Sequence, residues 1–375
     1  MREFVLKISR YLYHQAAKPL FFLFDPESVH NSITSLGEFI GYIKPVTWLM
    51  KKVSLTDDPM LTQTIGGIRF ENPIGLAAGF DYEAKLTQVL PAVGFGFSTI
   101  GTITNQSYGG NPKPRLGRLI KSRSLLVNKG FKNLGIRKTL NKLEGKHFAI
   151  PIGLSIGVTN TPSLANQEDA LKDIIETFEV AKNSTVPFSY YEMNISCPNL
   201  RVGVDFYSPE HLEELLIAVT KDKLSKPLFV KMPIDKSDEE ALGMLEVIAR
   251  HPVQGAIFSN LHKNKKDPAL HPSEAELFPR GSFSGKPAEK RSNELISLAY
   301  KTYGGRLTII GCGGVFSAED AYKKIKLGAS LIQLITGMIF EGPQLIAEIN
   351  LGLIKLLKQD GFDNISQAVG SMKTN

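Results

Sequence analysis

The chain has 375 residues, 42% of them hydrophobic and 22% charged, and a formal net charge of +7. This balance excludes a disordered chain and a small disulfide-stapled module, and predicts one large packed core. The two cysteines, Cys197 and Cys312, read as reduced thiols, and the seven scattered histidines show no metal-ligand spacing, so no metal is expected. The basic residues are spread along the chain without interleaved aromatics, which argues against nucleic acid. The positive charge serves solubility, or attraction to a phosphate group, an acidic substrate or a lipid surface.

Residues 1–55 differ from the rest, with seven Lys/Arg against four Asp/Glu and large apolar side chains: Phe4, Val5, Ile8, Tyr11 and Leu12, then Leu20 to Phe24. Val29, Ile33, Leu36 and Ile40 recur at helical spacing before Pro45 interrupts the pattern, and the single Trp48 precedes Lys51-Lys52. No apolar run reaches the roughly 18 residues needed to span a bilayer, and no secretory cleavage site follows a suitable apolar stretch. Amphipathic helices that either lie in a membrane interface or cap the floor of the following domain are expected.

From residue 66, short apolar runs alternate with amphipathic stretches. The spacing predicts strands at 73–78, 97–101, 150–156, 190–195, 227–232, 254–259, 307–311 and 330–335, with helices between them, among others at 167–182, 237–250, 288–302 and 342–358. Eight βα repeats predict a closed (β/α)8 TIM barrel, and the absence of a GxGxxG after any strand disfavours a doubly wound sheet. Chemistry then belongs at the C-terminal strand ends. Small or polar residues stand there: Ala78-Gly79, Gly101-Thr102, Ser155, Asn194, Lys231, Ser259-Asn260, Gly311 to Gly314 and Thr336-Gly337.

Strand 7 ends in Gly311-Cys312-Gly313-Gly314, and Ser317 followed by Asp320 resembles a helix N-cap. Glycines before a helix let backbone N–H groups approach an anion, and the loops after strands 7 and 8 are the usual phosphate site of this fold. Gly313, Gly314, Thr336 and Gly337 are therefore candidate phosphate ligands, although a GxGG alone also suits a tight turn. Lys231 at the barrel mouth can stabilise negative charge on an electron-accepting ring, or be a solvated loop lysine. Asn194-Ile-Ser-Cys-Pro-Asn199 offers paired donors and acceptors, with Cys197 either a base or a small buried thiol. Residues 261–285 form a long loop, functional or disordered, in which His262 to Lys266 reads as a solvated charge run.

Together GLAAGFD (75–81), GTITNQSYGGNPKPRLGRL (101–119), NKGFKNLG (128–135), NISCPN (194–199), FVKM (229–232), SN (259–260), FSGKP (283–287), IIGCGG (309–314) and LITGMIFEGP (334–343) carry a resemblance to the dihydroorotate dehydrogenases, from about residue 20 to the end. The leading FDPESVH (24–30) and the N-terminal helices resemble the membrane-associated, quinone-using class. The resemblance implies an FMN enzyme that oxidises dihydroorotate to orotate in pyrimidine biosynthesis and passes electrons to a quinone. It divides the chain into a membrane and quinone-access segment, 1–55, and an FMN-binding barrel, 56–375, peripheral on the inner face of the cell membrane.

It further implies that Ala77, Ala78, Gly79 and Thr102 line the flavin ring, with Ser155 at a flavin-facing position. Asn194, Lys231, Ser259, Ser284 and Gly285 would hold ring and ribityl chain, and Gly313, Gly314, Thr336 and Gly337 the phosphate. Asn128, Asn194, Asn199 and Asn260 would grip the substrate. Cys197 would take the C5 proton while C6 gives hydride to the flavin, and Arg118 would lie near the quinone path. The chain departs from the family pattern at several points. Cys197 stands where the quinone-using class has serine, and Tyr82 where members carry a lysine, with Lys85 the nearest candidate replacement. The motif at Asn128 is one residue short. Ser155, Leu261 and Ile335 replace an asparagine, a threonine and a tyrosine. A soluble, fumarate-using enzyme, another barrel flavoenzyme, and an FMN-binding barrel without turnover are the alternatives.

Overall fold

The computed structural model describes residues 1–164, 166–197, 199–200 and 205–372. Eight parallel strands close a barrel in chain order: β1 (Ile74–Leu76), β2 (Phe97–Ile103), β3 (Ile152–Ile156), β4 (Tyr190–Asn194), β5 (Leu228–Lys231), β6 (Gly255–Phe258), β7 (Thr308–Cys312) and β8 (Leu331–Leu334), with β8 returning to pair with β1. Each expected strand appears, shifted at its ends by one or two residues. The helices Gln167–Lys182, Asp238–Arg250, Glu289–Tyr303 and Leu345–Asp360 lie where the apolar periodicity puts them.

The interior is layered because side chains two apart on a strand share a face. At the bottom Phe97, Tyr190, Phe229, Ile257, Ile310 and Leu331 fill the barrel, and Ile65 and Phe70 join them from a hairpin of Gln63–Ile65 and Ile68–Phe70. Two residues further up each strand the layer turns polar: Thr99, Glu192, Lys231 and Gln333 are all buried. Gln333 Nε2 donates to Thr99 Oγ1 at 3.0 Å, and Thr99 shares a 2.8 Å hydrogen bond with Tyr190 Oη. The floor is thus sealed and apolar, and polarity rises toward the mouth.

Over the mouth, Leu116–Leu119, Ser124–Val127 and Ser282–Phe283 form a three-stranded antiparallel sheet. The long loop after β6 is therefore ordered: Phe283, Leu270 and Ala275 pack on Leu119 and Leu126. Within it only residues 263–266 are an exposed charge run. His262 is buried, its ring held between Asp235 on Nδ1 and Asp267 on Nε2, and the hydrogen bond it donates to Asp235 is the main cause that raises its pKa.

The N-terminal segment forms α1 (Arg2–Leu12), a π-turn at Tyr13–Ala17, α2 (Lys18–Leu23), α3 (Pro26–Gly41) and α4 (Lys44–Ser54). Asp25 caps α3 by accepting from Ser28 N–H at 2.8 Å, and Pro26 at the first helical position sets the new direction. The segment does not cap the floor, which the hairpin occupies. Instead α3 reaches the mouth: Glu27 is buried against Arg115 at 3.1 Å and Lys132 at 3.0 Å, and Asn31 accepts from Tyr82 Oη at 3.2 Å. Tyr13 Oη donates to the Ile339 carbonyl at 2.7 Å, and Arg118 Nη1 to the Phe24 carbonyl at 2.8 Å. Of the 18 exposed large hydrophobic side chains among the described residues, 15 lie in residues 1–55, Phe4, Leu23, Phe39 and Trp48 among them, so the apolar exposure is concentrated on this segment.

Candidate functional site

Two adjoining clefts open at the C-terminal ends of the strands and share Ala78, Lys231, Asn260, Leu261, Ser284, Ile335 and Thr336. The inner cleft, of about 510 Å³, runs to Ser259, Gly285, Gly313, Gly314 and Gly337. The outer one, of about 870 Å³, runs under the lid sheet past Thr102, Asn194, Cys197 and Asn199 to Tyr82 and His30.

The inner cleft is shaped by backbone. Gly313 and Gly314 have φ of +108° and +72°, and a Cβ on Gly314 would stand 2.3 Å from Glu289 Cβ, so only glycine fits that turn. A Cβ on Gly337 would lie 1.9 Å from the Val315 carbonyl oxygen, which shows how closely the loops after β7 and β8 meet. Among the described residues the N–H groups of Gly314 and Val315 have no acceptor, and Ser259 Oγ is buried without a hydrogen-bond partner. Buried polar groups are normally paired, so these donors mark a place for a ligand oxygen. Gly79, with φ of +108°, would direct a Cβ into open space with only Ile335 Cδ1 near, at 3.9 Å, leaving room for a planar group against β1. Ser284 Oγ and Thr336 Oγ1, 2.7 Å apart, join the lid sheet to β8. The donor set fits a planar cofactor with a phosphate tail.

Beneath the clefts runs a polar chain. Glu192, fully buried, lies 3.9 Å from Lys231 Nζ and accepts from Ser155 Oγ at 2.8 Å. Ser155 Oγ is 3.0 Å from Thr102 Oγ1, which accepts from Asn194 Nδ2 at 2.8 Å, and Asn260 Nδ2 donates to Ser196 Oγ at 2.9 Å. The geometry fixes the amide of Asn194 and the hydroxyl of Thr102 from below.

Of the residues singled out by sequence, Ala77, Ala78, Gly79, Thr102, Asn194, Lys231, Ser259, Ser284, Gly285, Gly313, Gly314, Thr336 and Gly337 line one cleft or both, with Cys197, Asn199 and Asn260. Ser155 and Asn128 line neither. Ser155 sits one layer down, and Asn128 Oδ1 accepts from Asn111 Nδ2 at 3.1 Å in a network that also ties Asn111 to the Asn199 carbonyl at 2.8 Å. Lys85 is also outside: Glu83 holds it at 2.8 Å and it donates to Ser35 Oγ at 3.3 Å. Arg118 stacks over Phe22, 4.6 Å from the ring centroid, between the lid sheet and α2. Burial pushes the Cys197 thiol up to about 12, against the opposing pull of Lys263 and Lys231. Sequence reasoning missed Glu192. The signal was available, since Glu192 stands two before Asn194 on one strand and therefore shares its face.

A (β/α)8 barrel with a glycine-lined polar cleft at the C-terminal strand ends has its cleft where enzymes of this fold place their active sites. The chain belongs to the dihydroorotate dehydrogenase family, whose profile matches residues 60–357. It is similar to the dihydroorotate dehydrogenase (quinone) of Sulfurovum sp., 35% identical over 360 residues that cover 96% of this chain and 98% of the relative. The protein of the same name from Nautilia profundicola is 36% identical over 364 residues, covering 94% and 95%. Among solved structures, DHODH from Eimeria tenella in complex with ferulenol superimposes with a TM-score of 0.80 at 28% identity, over 92% of this chain and 95% of that one.

Proposed function

We propose that this protein oxidises (S)-dihydroorotate to orotate with FMN and delivers the electrons to a quinone, in pyrimidine biosynthesis. The observation that supports this reading is the continuity of the two clefts. A glycine-lined donor nest, a lysine at the barrel mouth and a thiol among asparagines line two adjoining clefts that share seven residues. Gly313, Gly314, Thr336 and Gly337 would take the phosphate; Ser259, Ser284, Gly285 and Asn194 the ribityl chain and ring edge. Ala77, Ala78, Gly79 and Thr102 would pack the ring, with Ser155 orienting Thr102 from behind.

FMN, when bound, supplies the acceptor for the hydride of substrate C6. Lys231 stabilises the negative charge that reduction creates beside it. Asn194, Asn199 and Asn260 hold the substrate's amide groups, and the asparagine network around Asn128 keeps the lid loop in register. Cys197 Sγ removes the C5 proton. The lid sheet excludes water from the reacting face.

The outer cleft continues between Leu116, Leu125, Val127, Ile335 and Ile339 toward α2 and α3, an apolar path suited to a quinone. No described helix is long and apolar enough to cross a membrane. Residues 1–55 are the segment we assign to peripheral docking on lipid at the inner face of the cell membrane, and 56–375 the FMN barrel. A truncation removing α1 and α2 is expected to stop floating with anionic vesicles and to lose quinone-coupled turnover, while reduction of the bound flavin persists. Equal flotation, or faster oxidation by fumarate than by quinone in the full chain, would favour the fumarate-using reading that Cys197 suggests.

A further inference from the structure

The outer cleft holds three lysines, and two have carboxylate partners. Lys231 lies over Glu192, and Lys132 pairs with Glu27 at 3.0 Å. Lys129 has no ion-pair partner among the described residues, although it is 7% exposed and its Nζ lies against the Tyr82 ring, 4.0 Å from the centroid. Tyr82 in turn stacks on His30, with centroids 5.2 Å apart and planes 13° apart, and is fixed to Asn31. The lysine is therefore presented by a rigid stack of rings.

The loop that carries it is equally fixed. Asn111 N–H donates to the Lys129 carbonyl at 3.2 Å, and Asn160 Nδ2 to the Gly130 carbonyl at 3.1 Å. Gly130 and Phe131 both have φ of +63°, and a Cβ on Gly130 would stand 2.5 Å from Asn160 Nδ2. A left-handed phenylalanine is an uncommon conformation that surrounding structure must impose. Burial, with Lys132 and Arg115 nearby, lowers the Lys129 pKa to about 7. Glu27 and Glu83 oppose the shift from a distance, but a buried ammonium without a carboxylate in direct contact is unfavourable, and an anion arriving in the cleft relieves it.

We propose that Lys129 is the cation that binds the carboxylate of the substrate, so that the face of the outer cleft at Tyr82 and Lys129 is the carboxylate subsite. This rests on the dihydroorotate reading above, whose substrate is an anion entering a largely desolvated cleft. The ring amides then face Asn194, Asn199 and Asn260 on the opposite side. Tyr82 is a positioning residue: its ring holds the lysine's charge, and its hydroxyl joins the subsite to α3.

The test is a titration of the FMN-loaded protein with orotate and, separately, with neutral orotamide, read by perturbation of the flavin absorbance. In Lys129→Met, and in Lys129→Gln as the more soluble alternative, orotate is expected to bind on the order of 10- to 100-fold more weakly, the worth of one charge-assisted hydrogen bond. Orotamide affinity stays within about twofold, and Lys85→Met leaves both unchanged. Unaltered orotate affinity in the Lys129 variants would overturn the proposal, as would an equal loss of both ligands, which reports a collapsed cleft. A wild-type protein that holds flavin but neither binds orotate nor is reduced by dihydroorotate would remove the functional reading itself and this subsite with it.

Discussion

Replacing Cys197 by alanine is expected to lower the rate of flavin reduction by dihydroorotate about 10²- to 10⁴-fold, the usual contribution of a general base, while FMN remains bound. The flavin contacts proposed above come from the ends of β1, β2 and β4 to β8 and from Ser284-Gly285, and Cys197, three residues past Asn194 on the loop after β4, is not among them, so cofactor retention and turnover separate. Burial holds the thiol largely protonated near neutrality, with its pKa pushed up to about 12. The working form is the thiolate, whose fraction grows as pH rises toward that value. At saturating dihydroorotate the reduction rate should therefore climb with pH, by up to about tenfold per unit. Saturation matters because Lys129 acts in the opposite sense, losing its charge as pH rises above about 7. Stopped-flow reduction of wild type and Cys197→Ala over that range checks both statements. Normal turnover in the alanine variant removes the assignment of the base.

The second large effect concerns Lys231→Met. Lys231 is 4% exposed and Glu192 fully buried, and Glu192 Oε2 has no hydrogen-bond partner. Taking away the ammonium strands a buried carboxylate with a single donor, Ser155 Oγ. Breaking a buried pair from one side costs about 3–5 kcal/mol, because the remaining charge stays desolvated. The variant is expected to unfold at markedly lower denaturant and to release its flavin. Adding Glu192→Gln should restore most of the stability, since the stranded charge is gone, but not flavin reduction, since the developing negative charge still lacks its cation. Denaturant unfolding and flavin content of the single and double variants distinguish these terms. A single variant as stable as wild type would show that Glu192 does not depend on Lys231.

The barrel was legible in sequence because each of its strands is buried on both faces and bounded by small or polar residues, a pattern that survives without any knowledge of neighbours. The glycine turn after β7 was legible for a related reason. Gly313 and Gly314 adopt a turn that other residues resist, and such constraints are written locally. What could not be read depends on where the chain returns in space. The lid sheet joins residues 116–127 to Ser282–Phe283 across more than 150 positions, so the long loop could not be told from a disordered one. The buried place of His262 follows from Asp235 on another loop. The departures at Tyr82 and at the shortened motif after Asn128 are far apart in sequence, yet they face each other: Lys129, in that motif, lies on the Tyr82 ring. Lys85, close in sequence to Tyr82, points away to Glu83 and Ser35.

The N-terminal helices illustrate the same limit. Their exposed aromatics were evident from the sequence, but their hold on the active-site mouth was not. Glu27, His30 and Asn31 on α3 reach Arg115, Lys132 and Tyr82, so the segment that carries most of the exposed large hydrophobic side chains among the described residues also walls the outer cleft.

The most direct test of the central claim is an anaerobic absorbance spectrum of the purified protein before and after addition of dihydroorotate. Flavin bands are expected to bleach on addition and to return with a quinone. A protein that carries no flavin, or one whose flavin bands persist in the presence of dihydroorotate, would contradict that claim.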